Sequence, residues 1–260
     1  MALTRLAREP HPRSKIHPDR KSKPQALQYN QQSQPVRTMV VHQLRQMVIY
    51  PGQSLPFQDV NWDEFEAIVT QLGESRNSRI AYHDRTLELR MPLPKHEKAK
   101  VLLGNMVTIL LEELEIDNEC FGSTTFKRKD FGIGIEPDDC FYIQNAARML
   151  GKDDLDLTSD PPPDLVIEVD VTSKTGLEIY NRLGVPEVWR FENSHLRISL
   201  LNDGQYQDSD FSPQFPSFPI VQAATDFTLR IQTEGRRQTL NAFRSVVRQF
   251  YSNTAQSIDG

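Results

Sequence analysis

Apolar residues recur at helical spacing in KHEKAKVLLGNMVTILLEELE, residues 95–115. Val101, Leu102, Met106, Ile109 and Leu110 gather on one side, and Lys and Glu fall on the other. That stretch predicts the longest helix. NWDEFEAIVTQLG (61–73) predicts a shorter one, with Asn61 as N-cap, Glu64 at the capping-box spacing and Gly73 as its stop. GLEIYNRLG (176–184) sets Leu177, Tyr180 and Leu183 on one face before Gly184, and TLNAFRSVVRQFYS (239–252) closes the chain as an amphipathic helix. Elsewhere the rhythm falls to two. SRIAYHDRTLELRMP reads as a hairpin in which Ile80 and Tyr82 alternate, His83-Asp84-Arg85 turn, and Leu87 and Leu89 alternate back. NECFGSTTFKR and GIGIEPDDCFYIQ read as strands joined around Lys129 to Phe131. VPEVWRFEN is a strand, and HLRISLLNDGQYQ a hairpin turned at Asp203-Gly204. AARMLGKDDLDLTSDPPP reads as loop, as does the proline-broken stretch after residue 207, and VVHQLRQMVI (40–49) fits helix or strand equally. The order of elements predicts an α/β domain with a mixed sheet.

The strand PDLVIEVDV (163–171) poses the chemical question. Leu165, Val166, Ile167, Val169 and Val171 are apolar enough for burial on both faces. Glu168 and Asp170 interrupt them, two residues apart and so on one face. Like charges there are costly unless a cation or hydrogen bonds offset them. Asp138, in GIEPDDCFYI, is the first candidate to meet Glu168. Pro137 suits a strand start or bulge, after which Asp138, Cys140 and Tyr142 share one face and Asp139, Phe141 and Ile143 the other. On neighbouring strands Asp138 and Glu168 would point into one pocket about 5 Å apart. Two such oxygen ligands, with waters completing an octahedron, suit Mg²⁺ or Mn²⁺. Arginines ion-paired to the acids, with no catalysis, would satisfy the same residues.

Charge divides the chain. Residues 1–37 carry eight Lys/Arg against Glu9 and Asp19, a net of +6, which leaves 22 Lys/Arg and 33 Asp/Glu, a net of −11, in residues 38–260. The basic segment, rich in Pro, Gln and Ser, is expected to be a disordered tail, and 38–260 the folded domain. The acidic body weighs against adhesion of its whole surface to nucleic acid. No apolar run is long enough for a membrane span, and no secretory signal opens the chain, so a cytoplasmic protein is expected. Cys120 and Cys140 have no metal or redox spacing and read as reduced thiols. Gly132 and Gly134 lack the following Lys-Ser/Thr of a phosphate loop, and the histidines form no H-x-x-x-H pair.

GSTTFKRKD, GIEPDDCFYIQN, PPDLVIEVDVTSKT and LEIYNRLGVPEVWRFEN together resemble the Uma family of bacterial restriction-endonuclease-like proteins, within the PD-(D/E)XK nuclease superfamily. PLPKHEKAKVLLGNMV and PSFPI fit it too, so the likeness runs from Trp62 to the C-terminal helix. The resemblance implies a restriction-endonuclease-like mixed β-sheet core flanked by helices. It implies Mg²⁺- or Mn²⁺-dependent hydrolysis of phosphodiester bonds in nucleic acid, DNA before RNA. It assigns Asp138 and Glu168 as metal-binding carboxylates and Glu97 as an outer acidic group, with His96 as its rival. The superfamily's lysine belongs two residues after the Glu, where this chain has Asp170. Lys174 is the first substitute for that catalytic part and Lys127 the second; otherwise the base is missing. Pro163-Asp164 lies too near Glu168 to come from a separate strand and reads as strand entry. Three readings follow: a metal-dependent endonuclease, a nuclease fold turned to binding or regulation, and a structural homodimer module.

Overall fold

The computed structural model describes residues 48–73, 76–169 and 175–258. The basic tail 1–37, most of the 40–49 stretch, Asp170 and Lys174 lie outside them. The helix expected from Asn61 forms as α1 (Trp62–Leu72). The Glu64 amide donates to the Asn61 side chain and the Asn61 amide to the Glu64 carboxylate, closing the capping box. Hairpin strands β2 (Arg79–His83) and β3 (Thr86–Arg90) meet at Asp84 and Arg85, both at positive φ, the geometry of a tight twisted turn. With β1 (Ser54–Phe57), β5 (Phe126–Arg128) and β6 (Ile133–Ile135) they make an antiparallel sheet ordered β1-β3-β2-β6-β5.

A second sheet runs β11-β10-β9-β8-β7-β4, through β4 (Glu119–Cys120), β7 (Asp139–Tyr142), β8 (Leu165–Val169), β9 (Glu187–Glu192), β10 (His195–Asn202) and β11 (Gln205–Ser209). Among the described strands only β8 and β9 pair in parallel, linked by α4 (Thr175–Leu183) as a crossover. The mixed sheet is therefore present, but the expected strands 118–128 and 132–144 each break and serve both sheets. Pro137 gives the reason. The Glu136 amide still donates to Ile80 at 2.9 Å, whereas Pro137 has no N–H to continue that ladder. The chain leaves the first sheet there and enters the second at Asp139.

Three apolar layers result. α1 covers the outer face of the first sheet through Phe65 and Ile68 against Ile80, Tyr82, Leu87 and Leu89. Between the sheets lie Phe126, Ile135, Tyr142, Val166 and Val188, with Ile179 and Tyr180 of α4. On the far face of the second sheet, α2 (Pro94–Glu113), α5 (Ile220–Glu234) and α6 (Arg236–Ile258) enclose Ile167, Trp189, Phe218 and Phe243. α5 replaces the loop expected there. Val101 is also a correction: it is 46% exposed, while Leu103 and Val107, on the opposite side of the α2 helix, are buried instead. A short helix, α3 (Ala146–Met149), interrupts the loop after β7.

The outer layer leaves no room at Gly134. A Cβ there would stand 2.5 Å from the Phe65 ring, itself stacked 4.4 Å from Tyr82. Gly134→Ala is expected to destabilise the protein by about 1–3 kcal/mol in urea unfolding, the usual cost of overpacking. An unchanged midpoint would show that Phe65 yields freely.

Candidate active site

Between the two sheets the register brings charges face to face. Asp139 pairs with Ile167, so Asp138 continues the ladder opposite Glu168. Both side chains lie on the inner face with Cys140, Tyr142 and Val166, and both residues are 4% exposed. Asp138 Oδ2 accepts from the Val169 amide at 2.8 Å, and Glu168 Oε1 accepts from the Tyr180 hydroxyl. Across the gap, Arg79 and Arg90 sit opposite each other in the β2–β3 pairing. Each pair alone would be destabilising, two carboxylates on one sheet and two guanidiniums on the other. Facing each other, they offset.

Arg79 Nε approaches Asp138 Oδ1 at 3.5 Å, its Nη1 approaches Glu136 at 3.7 Å, and its Nη2 approaches Glu97 at 3.4 Å. Arg90 Nη2 lies 3.3 Å from Glu168 Oε2 and 4.0 Å from Asp138 Oδ1. Those two distances laid end to end cap the separation of the two carboxylate oxygens at about 7 Å. Glu136 is also held by Arg76 at 2.6 Å. A small pocket lined by Arg79, Glu88, Arg90, Glu136, Glu168 and Gly176 opens beside the acids.

Burial, then the negative charge of Asp138, pushes the Glu168 carboxyl up to about 7 against the opposing pull of Arg90 and Tyr180. Burial likewise raises Glu136. A second carboxyl behaves similarly on the other face of the sheet. Glu187, 1% exposed and bonded to the Trp189 indole N–H, is pushed up to about 7 by burial. Both groups bind protons more tightly folded than unfolded. The stability they allow is therefore complete below the unfolded pKa near 4.5 and falls as pH rises through about 7. Glu187→Gln keeps an acceptor for Trp189 without the charge. It should reduce the loss of unfolding free energy between pH 5 and pH 8 by about 1–3 kcal/mol. Parallel stability curves for variant and wild type would exclude Glu187 as the cause.

The other sequence candidates are dispersed. Glu97, in the first turn of α2, is half-exposed and reaches Asp138 only through Arg79; Lys100 stands 4.0 Å from it. Lys127 pairs with Glu66 of α1 at 3.0 Å, on the outer side of the first sheet, so it does not serve this site. Asp164 accepts from the Ile143 amide at 2.7 Å and the Asn145 amide at 3.0 Å, fastening the turn after β7. Lys174 and Asp170 lie outside the described residues. Arg79, Arg90, Glu136 and the Tyr180 hydroxyl were missed as site groups, although the alternation of the 78–92 hairpin already sets both arginines opposite Ile80 and Leu89. Among the described residues, no group of three or more His, Cys, Asp or Glu side chains forms a ready metal cage.

The sequence model of the Uma2 family, described as "Putative restriction endonuclease", matches residues 62–232, well over half the chain. The chain belongs to the Uma2 family. No curated protein matches it. Among solved structures it is similar to a "putative nuclease belonging to DUF820" from Anabaena variabilis ATCC 29413. The TM-score is 0.47 at 13% identity, over 65% of this chain and 99% of that one. The matched span holds the second sheet, every strand of the first except β1, and Arg79, Arg90, Asp138 and Glu168, whereas α6 lies beyond it. The expected α/β architecture, a mixed sheet flanked by helices, is the one this Uma2 chain has. No helix among the described residues is long and apolar enough to cross a membrane.

Proposed function

We propose that this Uma2 protein is a divalent-cation-dependent endonuclease that hydrolyses phosphodiester bonds in nucleic acid, DNA before RNA. One observation carries the reading. Two buried carboxylates from adjoining strands, Asp138 and Glu168, converge on a single cationic group beside a pocket. The family description supports the reaction class.

The donor set fits Mg²⁺ or Mn²⁺. Both ligands are hard carboxylate oxygens, which suit a cation that keeps several waters. Burial makes the pair demand positive charge, and the Arg90 guanidinium stands in for it. Asp138 and Glu168 would hold the cation. When bound, it would acidify a water and neutralise charge on the phosphate. The protein's own groups do the rest. The Val169 amide and Arg79 fix Asp138, the Tyr180 hydroxyl fixes Glu168, and Glu97 at the rim orients the attacking water. Lys174, at the entry to α4, is the first choice to position the nucleophile. Charge neutralisation by Arg90, with Asp170 at the superfamily's lysine position, favours a second reading in which the fold binds nucleic acid without cutting it.

Supercoiled plasmid incubated with purified protein and Mg²⁺ or Mn²⁺ separates the two. Nicked or linear product that EDTA abolishes supports the nuclease. Plasmid that is bound but intact under both metals supports the second reading.

A further inference from the structure

Arg79 and Arg90 face the same acids but are not equivalent. The Arg79 side chain is 9% exposed and makes contacts to three carboxylates, Glu97, Glu136 and Asp138, so it is locked. The Arg90 side chain is 26% exposed, and its ion pairs with Asp138 and Glu168 both run through one nitrogen, Nη2. It also lines the pocket beside Glu168. A guanidinium that meets both acids through one nitrogen at the mouth of a pocket can turn outward while its partner stays.

We propose that Arg90 is a built-in competitor for the cation: its guanidinium occupies the charge site between Asp138 and Glu168, and metal binds only as it withdraws. This rests on the metal reading above and concerns this chain's own arginine. Two adjacent buried carboxylates cannot both stay ionised without a positive neighbour. Arg90 supplies that neighbour at 3.3 Å from Glu168 and 4.0 Å from Asp138, within the reach that a shared cation would need. Occupied sites bind more weakly by the fraction of time they are closed. The withdrawn guanidinium, anchored on the first sheet at the pocket mouth, would then present its fork to a phosphate, a geometry that suits arginine better than lysine.

Calorimetric titration with MnCl₂ tests this without any measure of cleavage. Arg90→Met should bind Mn²⁺ more tightly than wild type, on the order of tenfold, because one charge-assisted hydrogen bond no longer has to break. Its melting temperature without metal should be lower, and Mn²⁺ should raise it by more than it raises that of wild type. If Arg90→Met does not fold, Arg90→Gln carries the same expectation with a smaller gain. Wild type that binds Mn²⁺ as tightly as the variants, or more tightly, overturns the competition while leaving the metal reading intact. No Mn²⁺ heat from wild type or any Arg90 variant overturns both. Mn²⁺ heat that appears only in the Arg90 variants, and vanishes on adding Asp138→Asn, supports the proposal most strongly.

Discussion

Asp138→Asn is expected to lower plasmid cleavage by about 100-fold or more, and Glu168→Gln by a similar factor. Groups that merely orient a metal ligand cost about 10–100-fold when removed, so loss of a ligand itself should reach the top of that range or exceed it. Both substitutions are near-isosteric. The amide introduced by Asp138→Asn would retain an acceptor for the Val169 N–H, and the one introduced by Glu168→Gln an acceptor for the Tyr180 hydroxyl. Folding is therefore preserved, and for Glu168→Gln the unfolding free energy at pH 8 should rise, because a buried carboxyl pushed up to about 7 is no longer forced to ionise. Lower activity with equal or greater stability is a combination that a general folding defect cannot produce. Variants that cut plasmid at the wild-type rate would remove these carboxylates from the chemistry.

Arg79→Ala should produce the largest loss of stability, about 3–5 kcal/mol in urea unfolding at pH 8. Its guanidinium is the buried hub of the network, and removal leaves Asp138 and Glu136 without their shared partner. Breaking a buried ion pair from one side costs that much because the remaining charge stays desolvated. The pair between Lys129 and Asp63 provides the contrast. At 3.9 Å and with both side chains largely exposed, it should contribute no more than about 1 kcal/mol. Adding Asp138→Asn to Arg79→Ala should recover part of the loss, since the two residues share one network. A loss for Arg79→Ala below about 1 kcal/mol would show that solvent reaches the acids far more readily than their burial implies.

Local chemistry was the most legible part of the fold. Asn61 with Glu64, the turn at Asp84-Arg85, the turn at Asp203-Gly204 and the stop at Gly184 all depend on residues a few positions apart. The pairing of Asp138 with Glu168 was also within reach, because Pro137 and the two-residue alternation determine which side chains share a face. What escaped depended on distant partners or on an overlooked pattern. Ile220, Ala223, Ala224 and Phe227 carry the helical spacing of α5, but Pro213, Pro216 and Pro219 just before them drew the whole stretch into loop. The division of 118–144 between two sheets turns on where Pro137 ends a ladder, and a strand pattern does not show which neighbour it will find. Arg79 and Arg90 were visible on the polar face of the hairpin. Periodicity says which face is apolar, not whose charges lie across from the other one.

A crystal soaked in MnCl₂ shows whether Asp138 and Glu168 hold a cation between them. An anomalous peak is expected with oxygens of Asp138 and Glu168 about 2.1 Å away, waters completing the shell, and the Arg90 guanidinium turned out of the gap. Arg90 still bridging the two carboxylates at saturating Mn²⁺, with no peak between them, would contradict a shared cation site.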